Sequence, residues 1–270
     1  MRSLWTAASG MKTQQTTVDV IANNLANVNT TAFKTESAEF KNLLYQTIQA
    51  KTTTKNGEQK PVGAQVGLGV RNSSITSMFT QGGFNATENT FDFAINGNGF
   101  FQMKGADGET YYTRNGSFNI AVATNGTMLT DSNGRPVLDT NGREIIFDSS
   151  LDTSKITLST TGELCYPDAT GNAASMDIAL GIVQFANPAG LEKEGSGLYK
   201  VTEASGEPRL EGEDPELTRS ELRQGYLEAS NVQVANEMVD LIVAQRAYEM
   251  NSKAIQASDE MLSQANQLRR

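Results

Sequence analysis

Four stretches carry residue types that could do chemistry. Cys165 could act as a nucleophile or a metal ligand. Glu211, Glu213, Asp214 and Glu216 could gather around calcium. The runs from Gly63 to Gly69 and from Asn96 to Gly99 could wrap a phosphate. None meets its template. The chain has no histidine, so Cys165 has no usual base and a Ser-His-Asp triad is impossible. Cys165 therefore reads as a small packing residue. The four acids lack the alternating spacing of a calcium loop and read as a solvated loop. The Gly63 run lacks dinucleotide and P-loop spacing, with no Lys-Ser/Thr after it, and reads as a turn. The Asn96 run looks like a hairpin turn. No pair of carboxylates is singled out for glycoside hydrolysis. The expectation is no catalytic residue, no cofactor, no metal and no small-molecule substrate.

Composition narrows the class further. The 270 residues carry 31 acids against 22 bases, a net charge of -9, which argues against a nucleic-acid partner. One cysteine excludes an internal disulfide framework. Mean hydropathy is -0.40, and no run approaches the ~20 apolar residues of a spanning helix. The N-terminal stretch shows no apolar h-region or cleavage signature, so no Sec signal is expected.

The elements that must position these residues differ along the chain. Leu4, Met11, Val18 and Leu25 recur every seven residues, widened by Ile21 and Val28: one apolar seam on a helix that ends among Asn23, Asn24, Asn27 and Asn29. A second short helix is expected over Ser37 to Gln49, from Phe40, Leu43, Leu44 and Ile48. At the other end Leu227, Val234, Leu241, Tyr248, Ile255 and Leu262 repeat every seven, thickened by Met238, Ile242 and Ala244. The second seam position there is polar: Asn231, Gln245, Ser252 and Asp259. A helix from Val232 to Leu268 would run roughly 55 Å at ~1.5 Å per residue. So long a helix needs partners along its length. The first helix is one, and other subunits must supply the rest.

Between them, strand-length apolar runs alternate with turns. Eight Asn-Gly or Asp-Gly pairs fall between Asn56 and Gly142, which argues for an antiparallel β domain. Residues 192–216, with Pro208 and Pro215, read as an acidic solvated excursion. The fold class is α+β: terminal helices forming a coiled-coil-like bundle plus a central antiparallel β domain. The expected divisions are 1–44 helical, 45–70 a connector, 71–225 the β domain and 226–270 the long helix.

Longer motifs resemble a known family. Ser3-Leu-Trp5, Ser9-Gly-Met11, the run Val20 to Thr30 and Phe33-Lys34 are similar to the N-terminal signature of flagellar axial proteins of rod, hook and filament type. Ser230-Asn-Val232, Glu237 to Ile242, Gln245 to Lys253 and Asp259 to Leu262 resemble the matching C-terminal signature. Gln81-Gly82, Gly97 to Phe101 and Tyr112 to Phe118 resemble the family's β domain. The short chain, single β domain and Tyr45–Val70 segment favour a distal-rod member over the hook. Where the family usually has Gly, this chain has Ala32; a positive φ there would cost Ala of order 1–2 kcal/mol.

The resemblance implies a structural subunit of a hollow helical tube, the distal rod of the basal body, transmitting torque from motor to hook. It implies a homo-oligomer, neighbouring rod and hook proteins, ring bushings where an outer membrane exists, and passage through the flagellar type III export apparatus without a Sec signal. The residues expected to carry subunit assembly are the seam positions: Leu4, Met11, Val18, Ile21, Leu25, Val28, Leu227, Val234, Met238, Leu241, Tyr248, Ile255 and Leu262. The alternatives are a proximal rod or hook paralogue and, in another class, an exported polysaccharide-binding or polysaccharide-active protein. Trp5, the only Trp, lies outside the β region and argues against a sugar platform.

Overall fold

Hydroxyl side chains that could disrupt α1 (Arg2–Ala26) instead bond back along it. Thr6, Thr13, Thr16 and Thr17 each donate to the carbonyl four residues earlier, and Ser9 to the one three residues earlier. The computed structural model describes residues 2–49, 63–123, 126–148, 151–168, 173–212, 214–215 and 217–268. The chain divides into two units, Met1–Ala26 with Glu36–Ser77 and Gln233–Arg270, and Asn27–Thr35 with Met78–Val232.

In the first unit α1 is followed by β1 (Glu36–Asn42), β2 (Tyr45–Gln49), β3 (Ala64–Gly67) and β4 (Val70–Ser77). The unit ends in α2 (Val234–Gln267). Free of Gly and Pro, α2 runs 34 residues, about 51 Å at 1.5 Å per residue. α1 and α2 pack on one another. The antiparallel pairs are β1 with β4 and β2 with β3. The helix expected over Ser37 to Gln49 is therefore absent. Its i, i+3, i+4 pattern is local, whereas the partner that settles its conformation, β4, lies some thirty residues on. The helical stripe is also not a buried one: Phe40, Leu44 and Ile48 are all exposed. Gly63 to Gly69 is likewise not a simple turn, since Ala64–Gly67 pairs with β2. Residues 50–62, half of the expected connector, lie outside the described residues.

The described residues of the second unit form strands and loops, with short 3-10 helices at Thr153–Lys155 and Pro188–Gly190. In chain order its strands are β5 (Phe84–Ala86), β6 (Phe93–Asn96), β7 (Phe100–Lys104), β8 (Thr110–Thr113), β9 (Asn119–Ala123) and β10 (Gly126–Thr130). There follow β11 (Ile146–Phe147), β12 (Thr157–Leu158), β13 (Glu163–Pro167), β14 (Ala173–Ala179) and β15 (Ile182–Gln184). The last are β16 (Glu192–Gly195), β17 (Leu198–Lys200), β18 (Arg209–Leu210), β19 (Glu221–Gln224) and β20 (Tyr226–Glu228). The largest sheet has six strands in the order β16-β17-β8-β7-β15-β18, and the described pairings between strands are all antiparallel. β7 is buried on both faces. Successive side chains of a strand point to opposite sides, so Phe101 enters one apolar cluster with Phe93, Phe118 and Leu222. Phe100 enters another with Tyr112, Phe185 and Tyr199. Edge-to-face rings seal the second cluster, with Phe100–Phe185 centroids 5.5 Å apart and Tyr112–Phe185 5.0 Å.

Two further expectations are corrected. Residues 192–216 are not a solvated excursion: they supply β16, β17 and β18 to the main sheet, with Leu198, Tyr199, Ser205 and Glu211 buried. Composition hid this because the charges lie on edge strand β16, whose residues are all exposed, while the apolar residues sit in β17. The Asn96 to Gly99 run does not close a hairpin, because β6 pairs with β19 and β7 with β8 and β15. It carries the chain from one sheet to another.

Candidate functional site

The expected seam residues fall on the helices with two exceptions. α1 stops at Ala26, so Val28 lies in the following turn. Leu227 belongs to β20, opposite Asn85, because the chain there must pair with β5. In α1, Ile21 is buried and Leu4, Met11, Val18 and Leu25 partly so. In α2, Leu241 and Ile255 are partly buried, while Val234, Met238, Tyr248 and Leu262 stay exposed. The second packed position is Glu237, Ala244 and Ser258, which are buried, with Asn251 partly buried. It is not the Gln245, Ser252 and Asp259 series expected. With only single residues to weigh, the sequence pattern put that position one place too far along.

The helix pair is joined to β1 by Asn24. Its side-chain amide imitates a peptide group: Nδ2 donates to the Glu36 carbonyl at 2.9 Å and Oδ1 accepts from the Glu36 N–H at 2.9 Å. Nδ2 also donates to Glu237 Oε2 at 3.2 Å. Glu237 lies in the first turn of α2, where the helix dipole favours a carboxylate.

The second unit holds a buried ionic network that the sequence reading did not assign. Lys34, Arg114 and Glu228 are all buried. Lys34 Nζ lies 2.6 Å from Glu228 Oε1 and donates to the Thr80 carbonyl at 2.8 Å. Arg114 Nε donates to Glu228 Oε2 at 3.1 Å, and its remaining nitrogens donate to the carbonyls of Gly97 and Gly99 and to Gln81 Oε1. The Gly82 N–H also donates to Glu228 at 2.9 Å. Gly97 sits at φ 143 against Ser220, a position a side chain could not occupy, which leaves its carbonyl turned toward Arg114. Two cations thus face one carboxylate. Burial first, and the Arg114 guanidinium second, pull the Lys34 ammonium below its ordinary 10.5, against the opposing pull of Glu228. Asn231 holds the flanking segments: Oδ1 accepts from the Thr35 N–H and hydroxyl at 2.7 Å each, and Nδ2 donates to the Met78 and Thr80 carbonyls. Lys34 and Arg114 are each the single charge in a motif that carries the resemblance, Phe33-Lys34 and Tyr112 to Phe118, while Glu228 lies two residues before Ser230-Asn-Val232.

The arrangement has the marks of a structural joint rather than a reactive centre: each buried charge is spent on a partner within the protein. A cleft of about 340 Å³ beside Glu211 is lined by Thr140, Thr160, Thr161 and Arg219. Its carboxylate already accepts from Gln184, Ser220 N–H and Ser220 Oγ. Among the described residues, no group of three His, Cys, Asp or Glu could hold a metal, and no helix is long and apolar enough to cross a membrane.

Three family models match: the flagella basal body rod protein over residues 4–34, the flagellar hook protein FlgE/F/G D1 domain over 94–166, and the flagellar basal body rod FlgEFG protein C-terminal over 223–268. The flagellar basal-body rod protein FlgG of Borreliella burgdorferi is 45% identical over 100% of this chain and 99% of its own length. That of Bacillus subtilis is 37% identical over the full length of both. The chain belongs to the flagellar basal-body rod protein family. It is a structural protein of that family and not an enzyme. A second Bacillus subtilis relative, the flagellar hook-basal body complex protein FlhP, is 34% identical over the full length of both. Nothing in these likenesses supports the polysaccharide alternative. As a rod-family chain its ionic network takes on a definite logic. Lys34 comes from the first matched segment, Arg114 from the second and Glu228 from the third.

Proposed function

We propose that the chain is a subunit of the distal flagellar rod that assembles with copies of itself, and with other rod and hook proteins, into a hollow shaft carrying torque from motor to hook. The higher identity to the FlgG chains, 37% and 45% against 34% for FlhP, supports this place in the rod over that of such a paralogue. In this reading the terminal helices form a coiled-coil-like bundle around the channel, and the seam positions Leu4, Met11, Val18, Ile21, Leu25, Val234, Met238, Leu241, Tyr248, Ile255 and Leu262 carry assembly. The subunit leaves the cell through the flagellar type III export apparatus without a Sec signal, and passes ring bushings where an outer membrane exists.

One observation carries this reading. α2 packs on α1 with the face of Leu241, Ala244 and Ser258, yet Val239, Val243, Met250 and Met261 remain exposed. At ~100° per residue these four fall within about 40° of one another, roughly 120° round from the packed face. A single copy leaves that stripe in water, and neighbouring copies in a tube would cover it. The segment around 45–70, which contains the paired strands β2 and β3, would stiffen the shaft by touching the next subunit, with exposed Leu44, Tyr45 and Ile48 among its contacts. The test is imaging of basal bodies from cells lacking this chain. The reading requires rods that stop short of the hook; complete rods would refute it.

A further inference from the structure

The apolar seam by itself does not determine how α1 and α2 align. Leu4, Met11, Val18 and Leu25 repeat every seven residues, as do Leu241, Tyr248, Ile255 and Leu262. Sliding one helix by seven residues would again set apolar residues against apolar ones. The residues between them behave differently. Ser258 Oγ donates to Ser3 Oγ at 3.2 Å. Gly10 faces Asn251 so closely that a Cβ there would come within 2.9 Å of Asn251 Nδ2. Asn24 Nδ2 donates to Glu237 Oε2 at 3.2 Å. Each step of seven forward along α1, from Ser3 to Gly10 and on through Thr17 to Asn24, is a step of seven back along α2, from Ser258 to Asn251 and on through Ala244 to Glu237. The helices are therefore antiparallel, and Thr17 and Ala244 occupy the remaining step.

We propose that this ladder of small and polar pairs, with Gly10 as the socket for Asn251 and Asn24 as the donor to Glu237, is the determinant of helix register. A slide of seven in one direction sets the branched Thr17 where Asn251 now meets a glycine, and parts Asn24 from Glu237. A slide in the other direction sets Thr17 against Glu237 and leaves the Gly10 socket facing Ala244. Either slide leaves a polar group without its partner or a space unfilled, and single polar residues in such seams are known to select register. A slide would move the free end of α2 by about 10 Å, at 1.5 Å per residue. In the observed register the residues of α2 beyond Asp259, including exposed Met261 and Leu262, have no α1 residue opposite them. The ladder thus sets how much of α2 projects past α1. That consequence for contacts with other copies rests on the rod reading; the register itself does not.

Cysteine pairs in the full chain test it, with Cys165→Ser removing the native thiol. Ser3→Cys with Ser258→Cys reports the observed register, and Ser3→Cys with Ala265→Cys reports a slide of seven. Intramolecular disulfides are read as a shift in monomer mobility. With the ladder intact, only the first pair should close. With Glu237→Leu and Asn251→Leu added, the second pair should close to an extent comparable with the first. Closure of the first pair alone in the double variant would overturn the proposal. So would closure of both pairs with the ladder intact. Loss of both in the double variant would show that the ladder holds the helices together rather than choosing their register, which also overturns it. All of these outcomes are read on single copies, so they stand or fall apart from the rod assignment.

Discussion

Lys34 Nζ lies 2.6 Å from Glu228 Oε1, and neither side chain has any exposed surface. The two residues stand 194 positions apart in the chain. The contact therefore ties the segment that follows the first helix to the strand that precedes the last one, with Arg114 completing the group. Such a cluster stabilises only as a complete set, because removing one partner leaves the others charged and dry.

Glu228→Gln keeps the shape and removes the charge that both cations face. Urea unfolding should show a loss of about 3–5 kcal/mol, the usual result of breaking a buried pair. A change below about 1 kcal/mol would mean that water or another acid already serves Lys34 and Arg114.

The depressed Lys34 fixes the sign of a pH effect. Below its lowered folded value the ammonium is charged in both states. Between that value and 10.5 the unfolded chain binds more protons than the folded one, so this residue's contribution to stability rises with pH. The stability of the wild-type chain relative to Lys34→Met should therefore improve as pH is raised toward 10.5. Tyr112, raised from 10.0 by burial, works in the opposite sense above pH 10.0 and is common to both chains, so it cancels in the comparison. A wild-type advantage that shrinks with rising pH would contradict the assignment.

Ala32 sits at φ 58, in the left-handed region, with its N–H donating to the Glu228 carbonyl at 2.8 Å. The turn is thus kept despite the missing glycine. Ala32→Gly should remove of order 1–2 kcal/mol of strain and lose roughly 0.5–1 kcal/mol to chain entropy. The melting temperature should rise by a few degrees or less, and a fall would show that burial of the Ala32 methyl outweighs the strain.

Leu241→Asp places a carboxylate on the face of α2 that meets α1. It should block incorporation into rods while near-ultraviolet circular dichroism shows the β unit still folded. Burial of an unpaired carboxylate costs several kcal/mol. Normal swimming in cells carrying only this variant would rule out that face as a seam.

The helices were the most legible part of the sequence. Heptad spacing and the absence of Gly and Pro over 226–270 place α2 within two residues of its observed ends. Turn-rich composition likewise marks the middle as β. Strand β1 was not legible, because a helix-like stripe at Phe40, Leu43 and Leu44 competes with pairing to a distant segment, and distance in sequence is invisible to a local pattern. The ionic network was hidden for the same reason. Lys34, Arg114 and Glu228 each look like an ordinary surface charge until the fold brings them together. The motifs around Lys34 and Arg114 carried the family resemblance, yet nothing in the spacing of a lone Lys, Arg and Glu says that they share one cavity. Leu227 shows the opposite error: it keeps the heptad count with α2 by coincidence and lies in a strand.

The central claim is that other copies cover the outward stripe of α2. Val243 is 60% exposed and sits in that stripe. Val243→Glu should leave the stability of the isolated chain within about 0.5 kcal/mol of wild type, as exposed substitutions do. Basal bodies purified from cells that make only this variant, imaged by electron microscopy, are the direct measurement. The account requires rods that are missing or truncated where this subunit belongs. Full-length rods of normal number, built from a variant with an unpaired charge on that face, would contradict it.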